Sequence, residues 1–492
     1  MGQRPGSLPA GFTGQGNAGG HMDTIETVPA ARGRRARLVR RGWLLAAVAV
    51  VASGCVTTTW TTYHAKNDRS GVATAKALVP TTEAWTSSSL DGAIYGEPLV
   101  LANRVIVATE NDSVYSLDLG DGHVVWGPVN LGTPVPQTWL PCGNIFPLGI
   151  TSTPVVDPTT NTVYVLAERT TSTTNVVSHD LVALDTVDGA VRWQHPVDPA
   201  GIAPLDRRNH QQRAALALAN GRVYVGFGGL AGDCANYTGW LVSANADGTG
   251  AFPLETYQVP TTREGAIWAA SGPAVDAAGN VFVATGNGES TDPANYDHGN
   301  SIVKLAPDLT ELDHFAPTTW ATDSAADLDL GSAGPSLLAD GLIFQAGKNG
   351  TAYLVDANHL GGIGGEKYQA PLCRDFGGNA YQAPIIYVAC TDGVRAVEVL
   401  GPPSNPSLVV RWRSSGAAGS PVVAGGAVWA SNTNFGGTTL YGLDPVTGAT
   451  IATLTTGKLD HFNTPTVAAN HLLIATTNQV RAYVGPPDAS TP

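Results

Sequence analysis

Four side chains with complementary chemistry follow one another in the middle of the chain: Trp268, Asn287, Asp327 and Lys348. An indole offers a flat face for stacking on a planar ring, and a carboxamide oxygen can bind a hard cation. A carboxylate can accept a proton from a hydroxyl group, and an ammonium group can stabilise a negative oxygen. Together these side-chain types could bind a planar ring and a cation and exchange a proton with a hydroxyl group.

The first two of these residues bracket a hairpin that recurs along the chain. Residues 267–287 contain a Gly-Pro-Ala-Val strand, a Gly-Asn turn and a Val-Phe-Val-Ala-Thr strand. Similar hairpins return at intervals of roughly 40–60 residues, a period typical of propeller blades. They begin near Pro98, Pro154, Ala214, Pro273, Pro335, Ala380, Pro421 and Pro465.

A third strand that ends in Leu-Asp-x-x-x-Gly follows several hairpins, as at Leu117, Leu184 and Leu443. The Asp and Gly are turn residues that lead into a fourth strand. The sequence therefore predicts an all-β fold: an eight-bladed β-propeller of four-stranded antiparallel blades over residues 82–485. The last copy has only three strands, and the N-terminal strand at 84–88 is predicted to complete it and close the ring.

The composition supports this fold class and excludes others. The chain of 492 residues has 58 Gly and 33 Pro, which suits a fold with many turns. Charged residues make up 14% of the chain, and the formal net charge is −13. Nucleic acid is disfavoured as a partner, because its phosphates require a basic surface. The composition also argues against a helical bundle, a coiled coil and a disordered acidic chain.

The first 54 residues resemble an export signal. The basic stretch 34–41 precedes an apolar run at 43–52, which is shorter than the ~20 residues of a membrane-spanning helix. The run ends in Ala-Ser-Gly-Cys, which is similar to a bacterial lipobox, so Cys55 is predicted to carry a lipid anchor. The alternative is ordinary cleavage after small residues.

The remaining non-repeat segments have simple assignments. Residues 1–21 are of low complexity, residues 55–81 are predicted to form a lipid-anchored stalk, and residues 486–492 form a tail. Within the stalk, His64 is predicted to be structural. The expected location is extracytoplasmic, either lipid-anchored to the bacterial cell membrane or secreted, and the expected state is a monomer.

Disulfide bonds are predicted from the cysteine count. If Cys55 carries lipid, four cysteines remain, an even number in an oxidising compartment. Three pairings are possible. One joins two cysteines on neighbouring strands of a single blade and leaves the others to link the approaches to blades 2 and 3: Cys373–Cys390 and Cys142–Cys234. The chain has no Cys-x-x-Cys and no Cys/His cluster, which disfavours zinc and thiol redox chemistry.

The repeat pattern resembles the propeller repeat family named for pyrroloquinoline quinone (PQQ), over about residues 82–485. That family includes quinone-dependent dehydrogenases, sensor domains and a lipoprotein scaffold of outer-membrane protein assembly. Its alcohol dehydrogenases use PQQ and calcium. The resemblance implies a role for each candidate: Trp268 stacks on the quinone, Lys348 contacts its oxygens, Asp327 is the catalytic base and a calcium ligand, and Asn287 and Asp233 bind calcium.

Two departures from the family pattern leave a structural interpretation open. The family stacks its cofactor under a ring formed by two adjacent cysteines, whereas only Cys142 lies in that region. No Arg can be assigned to the cofactor's carboxylates. The candidates also fit structural roles: Trp268 as blade packing, Asn287 and Lys348 as turn residues, Asp327 in a solvated acidic loop, and Asp233 beside a disulfide.

Two functions are compatible with these patterns. The first is an exported, lipid-anchored binding or scaffold module at the cell surface, with or without a degenerate quinone pocket, with a membrane contact and a protein or glycan ligand on its loop face. The second is a calcium- and PQQ-dependent alcohol or sugar dehydrogenase. Motifs of other enzyme classes are missing: there is no Gly-x-Ser-x-Gly, His-Glu-x-x-His or Walker loop. Scattered histidines form no metal-spaced set, as at His179, His298 and His461.

Overall fold

Short apolar strands are the main regular structure of the described chain. The computed structural model describes residues 59–73, 78–79, 82–171, 175–203, 205–249 and 254–485. The predicted signal peptide, Cys55 and the tail from residue 486 lie outside these residues. None of the helices within these ranges has the length and hydropathy that crossing a bilayer requires.

The strands form eight sheets, which are the blades of a propeller. The first strands of neighbouring blades approach one another, so they surround a common axis. In blades 1 to 4 the strands, from the axis outward, are Leu99–Leu101, Arg104–Ala108, Ser113–Asp118 and Val124–Asn130; Val155–Asp157, Thr162–Thr170, Val177–Asp185 and Val191–Pro196; Ala217–Ala219, Arg222–Gly229, Trp240–Asn245 and Glu255–Gln258; and Ala274–Val275, Val281–Ala284, Ile302–Leu305 and Glu311–Ala316.

Blades 5 to 8 repeat this antiparallel order. Their strands are Ser336–Leu337, Leu342–Ala346, Thr351–Asp356 and Tyr368–Pro371; Ala380–Gln382, Ile385–Val388, Arg395–Leu400 and Ser407–Arg413; Val422–Ala424, Ala427–Ser431, Phe435–Leu443 and Thr450–His461; and Thr466–Ala468, His471–Thr476, Gln479–Val484 and Thr82–Thr86. Two blades carry an extra strand: His210–Gln211 joins blade 3, and Gly362–Ile363 pairs in parallel with the outer strand of blade 4.

Thr82–Thr86 closes the ring as predicted. It pairs antiparallel with Gln479–Val484, with Thr82 opposite Val484, so the first strand of the described ring completes the last blade. This pairing covers an edge that an open sheet would expose. The fold prediction, eight four-stranded antiparallel blades, is confirmed.

Helices are few and short in the described residues. They lie in connections between blades or in the segment before the first blade. Within the described ranges the single α-helix is Trp320–Ala325, and the 3₁₀ helices are Tyr63–Ala65, Gln137–Trp139, Arg207–Asn209 and Leu330–Ser332.

The Leu-Asp-x-x-x-Gly repeat joins adjacent blades. The indole of Trp126, on the outer strand of blade 1, lies against Gly189 in blade 2, where a Cβ atom would be only 2.7 Å from the ring. Its Nε1 donates to the carbonyl of Thr186 at 3.0 Å. Trp85 lies in the same way against Gly122, and closes the contact between blades 8 and 1. The repeated Gly is therefore required by an inter-blade contact as well as by its positive φ.

The segment 59–73, which the sequence analysis assigned to a stalk, lies inside the ring. For these residues the stalk prediction is wrong, because their backbone bonds to the innermost strands of successive blades. Trp60 exchanges backbone hydrogen bonds with Val100 in blade 1, each 2.8 Å long. Oxygen atoms of the segment accept from strand amides of five other blades, at Val156, Val275, Leu337, Tyr381 and Val423. We call residues 59–73 the axial segment.

Arg69 anchors the axial segment. The side chain is 1% exposed, and its Nε donates to the carbonyl of Pro273 at 2.9 Å. Its Nη2 donates to the carbonyl of Leu216 at 3.2 Å, so one guanidinium joins blades 3 and 4. Burial lowers the pKa of Arg69 to about 10. The polar sequence of this segment therefore satisfies buried backbone groups rather than forming a solvated tether.

His64 packs beside this guanidinium. Its ring stacks on Tyr63 with 4.2 Å between centroids, and its Nδ1 lies 3.1 Å from the carbonyl oxygen of Asn379. Burial lowers the pKa of His64 to about 3, so the imidazole is neutral in the folded protein. Its contacts are those of a structural residue.

Candidate functional site

A cavity of about 370 Å³ lies at the loop face, the end of the ring that carries the connections between blades. Connections leading into blades 2, 3, 4, 5, 6 and 8 contribute to it, so the cavity surrounds the propeller axis. All five residues that the sequence analysis selected line it: Asp233, Trp268, Asn287, Asp327 and Lys348. Its other polar and aromatic lining residues include Asn144, Gln211, Arg213, Tyr237, Glu264, Asp329, Phe376, Phe435, His461 and Phe462.

Three of the selected residues occupy equivalent positions in consecutive blades. Asp233, Asn287 and Lys348 each follow the second strand of their blade, which runs toward the loop face. Neighbouring blades of a propeller repeat the same geometry, so equivalent loop residues converge on the axis. This convergence explains why residues that are widely separated in sequence meet in one cavity.

Lys348 bridges two carboxylates. Its Nζ lies 2.8 Å from Oδ1 of Asp327 and 2.5 Å from Oδ2 of Asp329. The side chain of Asp327 is 73% exposed, whereas that of Asp329 is 11% exposed. Burial raises the pKa of Asp329, against the opposing effect of the Lys348 charge. Burial lowers the pKa of Lys348, but the two carboxylates outweigh burial and the net shift is upward.

Asn287 connects the same two acids. Its backbone amide donates to Oδ1 of Asp329 at 2.7 Å, and its Nδ2 donates to Oδ1 of Asp327 at 3.0 Å. Asn300 holds the carboxamide in turn, since its Nδ2 donates to Oδ1 of Asn287 at 3.1 Å. Gly286 is required here, because a Cβ atom would lie 2.4 Å from Asp329 Oδ1.

Trp268 presents its indole beside this network. The Nζ of Lys348 lies 5.8 Å from the ring centroid, within the range of a cation–π contact. Phe376 and Phe462 meet the indole edge-on, each with 6.4 Å between ring centroids. The half-buried indole therefore belongs to an aromatic wall that continues to Phe435, whose side chain is 49% exposed.

Asp233 lies on another wall and does not join the Asn287 network. Its Oδ1 accepts the hydroxyl of Tyr237 at 2.7 Å, and its backbone oxygen accepts from Arg263. Glu264 lies nearby and pairs with Arg263 at 2.8 Å. Burial raises the pKa of Glu264, and the charge of Asp233 adds to that increase. The acids that contact Asn287 are Asp327 and Asp329, not Asp233.

Arg213 is a positively charged residue of the cavity that was not predicted from the sequence. Its guanidinium lies over Phe462, 5.5 Å from the ring centroid, and lines the cavity. Nη2 reaches the side-chain oxygens of Asn144 and Gln211 at 3.4 Å. Burial lowers the pKa of Arg213 from its ordinary value, and the neighbouring acids Glu110 and Glu168 oppose that decrease.

The cavity residues that were not predicted from the sequence share a position in the fold, just before the first strand of a blade, and this position could have identified them. Arg213, Asp329, Phe376 and Phe462 lie in the few residues before the first strands of blades 3, 5, 6 and 8. Trp268 occupies the same entry segment of blade 4. Blade-entry residues approach the axis, so polar or aromatic side chains at these positions are the signal to search for.

Two disulfides form among the described cysteines, and both match the pairing considered from sequence. Cys142 joins Cys234 with Cα atoms 6.2 Å apart, and Cys373 joins Cys390 with Cα atoms 5.6 Å apart. The expectation that the second pair lies within one blade is wrong. Cys373 follows the outer strand of blade 5, and Cys390 follows the second strand of blade 6. The bonds indicate an oxidising, extracytoplasmic compartment.

The residues present fit a hard cation and a planar anion. Asn287, Asp327 and Asp329 offer only oxygen ligands, the type that calcium prefers. Trp268 offers an aromatic face, and Arg213 and Lys348 offer positive charge for carboxylate or quinone oxygens. A cavity of about 370 Å³ also lies within the size range of sites for small organic molecules.

A family model described as outer membrane protein assembly factor BamB matches residues 64–229, about a third of the chain. No curated protein has a matching sequence. Among solved structures, the quinohemoprotein alcohol dehydrogenase ADHIIG of Pseudomonas putida HK5 is 15% identical, with a TM-score of 0.63 over 89% of this chain and 82% of that chain. The quinohemoprotein alcohol dehydrogenase of Comamonas testosteroni is 14% identical, with a TM-score of 0.64 over 90% and 83%.

BamB of Moraxella catarrhalis is 16% identical, with a TM-score of 0.53 over 82% of this chain and 99% of that chain. At these identities the similarity shows the fold alone. The similar structures include both alcohol dehydrogenases and BamB, so the similarity does not distinguish a catalytic function from a role in assembly. The resemblance to the PQQ-type propeller repeat family is thereby confirmed at the level of the fold.

Proposed function

We propose that the axial cavity binds a planar, anionic quinone of the PQQ type together with a divalent cation such as calcium, and that the protein oxidises an alcohol or sugar. One observation carries this proposal. Residues selected because their segments resemble those of quinone-dependent dehydrogenases in the same order, and located in three different blades, line one cavity. The repeat brings equivalent loop positions to the axis, but it does not determine their side-chain types, and here an indole, a carboxamide, carboxylates and an ammonium group share one cavity.

Six of the lining residues have a role in this proposal. Trp268 stacks on the planar ring, and Arg213 pairs with a carboxylate of the bound anion. Asn287, Asp327 and Asp329 supply oxygen ligands for the cation. When bound, a quinone accepts the two electrons of the oxidised alcohol.

Asp327 is the proposed base. Its carboxylate is exposed to the cavity, so a substrate hydroxyl can reach Oδ1 or Oδ2 and transfer its proton there. Lys348 and Asn287 orient this carboxylate through the contacts described above. Asp329 is more deeply buried and, besides supplying an oxygen ligand for the cation, positions Lys348.

Titration of the purified full-length protein with PQQ in the presence of calcium tests the proposal. We expect a saturable change in absorbance and in Trp fluorescence, and dye-linked oxidation of alcohols or sugars. Trp268→Ala should weaken binding, and Trp268→Phe should retain most of it. Absence of any PQQ affinity in the calcium-loaded protein would refute the cofactor assignment.

A binding or scaffold module is the second candidate. The observation that favours it is the match of residues 64–229 to the BamB model, which spans part of the axial segment, blades 1 and 2 and the first two strands of blade 3. In this alternative the cavity and the exposed Phe435 receive a protein or glycan on the loop face. Binding of PQQ without turnover of any alcohol or sugar would favour this candidate over the enzyme.

We also propose that Cys55 carries a lipid anchor. The support is the Ala-Ser-Gly-Cys sequence at 52–55 and the extracytoplasmic compartment that the disulfides indicate. Mass spectrometry of the membrane fraction tests this. Recovery of an unlipidated Cys55, or unchanged membrane retention of Cys55→Ser, would contradict it.

A further inference from the structure

Blade 4 brings two histidines and a glutamate together outside the cavity. Nδ1 of His314 lies 3.0 Å from Oε1 of Glu311, and Nδ1 of His298 lies 3.5 Å from Oε2 of Glu311. One potential ligand atom from each of the three residues lies within 4.8 Å of the other two. All three side chains are half-buried. From the sequence, His298 is one of the scattered histidines without metal spacing, whereas the fold brings it beside Glu311 and His314.

A β-bulge makes this cluster possible. Glu311 and His314 are three residues apart on one strand, and regular alternation would direct their side chains to opposite faces. The pairing with the neighbouring strand shifts, because Leu305 faces Glu311 whereas Lys304 faces Asp313. Leu312 is the extra residue, and it is 52% exposed. The bulge brings Glu311 and His314 to the same side, and bulges often redirect side chains in this way at functional sites.

We propose that His298, Glu311 and His314 form a binding site for a divalent transition metal of the Zn²⁺ class. Zinc–nitrogen bonds of about 2.0–2.1 Å in a tetrahedral site place ligand atoms about 3.3 Å apart. The distances of 3.0 Å from His314 Nδ1 to Oε1 of Glu311 and 3.5 Å from His298 Nδ1 to its Oε2 lie on either side of that value. Two imidazoles and one carboxylate are a ligand set that favours zinc over calcium, and they leave a fourth position for water.

An aromatic shell holds the ligands in place. Tyr296 stacks on His298 with 4.8 Å between ring centroids and an interplanar angle of 23°, and it also lies 5.3 Å from the ring of His314. The hydroxyl of Tyr257 lies 3.5 Å from Nδ1 of His298. His298 has a φ of 62°, a left-handed conformation that the surrounding structure must impose on a non-glycine residue. Fixed orientation of the rings reduces the cost of assembling a metal site.

The site is connected to the loop that carries Asn287. The carbonyl of His298 accepts the hydroxyl of Thr285 at 2.7 Å, and Asn300, two residues further on, donates to Asn287. A metal on His298 would therefore tie this loop to the outer strand of the blade. The site does not depend on the proposed oxidation, and binding of Zn²⁺ can be measured whether or not the cavity binds a quinone.

Titration with ZnCl₂ and CoCl₂ tests the proposal on the full-length protein, purified without a polyhistidine tag and in calcium-containing buffer. We expect one Zn²⁺ per chain by elemental analysis, an increase in melting temperature, and a Co²⁺ spectrum with the intense visible bands of a low-coordinate site. His314→Gln and His298→Gln should weaken binding by more than about 100-fold, since losing one of three ligands exceeds the roughly 10–100-fold effect of losing an outer-shell partner.

Two matched controls locate the metal. His123→Gln alters an exposed Asp118–Asp121–His123 cluster, and Asp329→Asn alters the cavity, so neither should change the stoichiometry. Circular dichroism establishes that each variant is folded. Absence of stoichiometric Zn²⁺ would overturn the proposal. Zn²⁺ binding that survives His298→Gln and His314→Gln but is lost in either control variant would also overturn the proposal.

Discussion

The ammonium group of Lys348 lies closer to the buried Asp329 than to the exposed Asp327, at 2.5 Å against 2.8 Å. Lys348 therefore neutralises part of the charge of the buried Asp329. It also orients Asp327, which is accessible from the cavity. Because burial makes an unpaired carboxylate costly, the Asp329 contact fixes the position of Lys348. The accessible carboxylate is then free to exchange partners when a substrate or cation enters.

We predict different outcomes for the two acids. Asp327→Asn should reduce dye-linked oxidation by roughly 10²–10⁴-fold, the usual contribution of a general base, and should leave PQQ affinity within a few fold. Asp329→Asn should weaken both calcium and PQQ binding, because Lys348 and Asn287 lose their buried partner. Equilibrium binding and turnover are measured separately for each variant. Equal losses of binding in both variants would contradict the division of roles.

The axial segment should contribute strongly to stability. Arg69→Met leaves the carbonyls of Leu216 and Pro273 without their donor, so the free energy of unfolding should fall by about 3–5 kcal/mol. Lys66→Met is a matched control in the same segment, because Lys66 is exposed, and it should change stability by less than about 0.5 kcal/mol. Denaturant unfolding measures both. Similar losses in the two variants would refute the anchoring role of Arg69.

Stability should decrease as the pH rises from about 5 to 8. Burial raises the pKa of Glu110 to about 8, so between its ordinary value and pH 8 the folded chain binds a proton that the unfolded chain has lost. The stabilisation is complete at low pH and disappears as the pH passes the folded pKa, with a slope of at most about 1.4 kcal/mol per pH unit. Asp112 acts in the same direction, since burial raises its pKa to about 9.

Glu110→Gln isolates this contribution. The amide keeps the shape of a side chain that accepts from Gly149 and Thr151, but it does not titrate. Melting temperatures from pH 5 to 9 should then vary less than in the unmodified protein. Asp340→Asn, at an exposed acid, serves as the control. A pH profile that is unchanged by Glu110→Gln would contradict the assignment.

Removal of the two disulfides should have unequal effects. The Cys142–Cys234 bond spans 92 residues and the Cys373–Cys390 bond spans 17. Loop entropy assigns about 4–5 kcal/mol to the longer span and about 3 kcal/mol to the shorter one. Denaturant unfolding of the two double Cys→Ala variants compares them. Cys142 also lies beside Gly232, which lines the cavity. Removal of the Cys142–Cys234 bond should therefore reduce PQQ affinity, whereas removal of the Cys373–Cys390 bond should not.

The propeller could be predicted from the sequence because every blade repeats one local pattern. The hairpins, the Asp turn and the Trp–Gly contact recur at similar spacing, and each copy supports the same interpretation. The axial segment could not be identified in this way. Its Thr-rich composition resembles a solvated tether, and only the positions of the surrounding carbonyls and amides give its polar groups their partners.

The sequence could predict those cavity residues that occupy equivalent loop positions in successive blades. Asp233, Asn287 and Lys348 follow second strands, so their shared location depends only on the repeat. Asp329 and Arg213 depend on which side chain of an entry segment faces the axis, which sequence spacing does not determine. The His298 cluster depends on a one-residue bulge at Leu312 and is invisible to any regular period.

The axial segment also fixes the number of repeats. Propellers are built from similar units, and related repeat arrays often tolerate the gain or loss of a unit because each contacts only its neighbours. Here one continuous stretch bonds to strands as distant as Val100 and Val423. Deleting a single blade would displace every later partner of that stretch and leave its buried polar groups unmatched. A seven-bladed descendant of this chain would therefore need a new axial segment as well as a new ring.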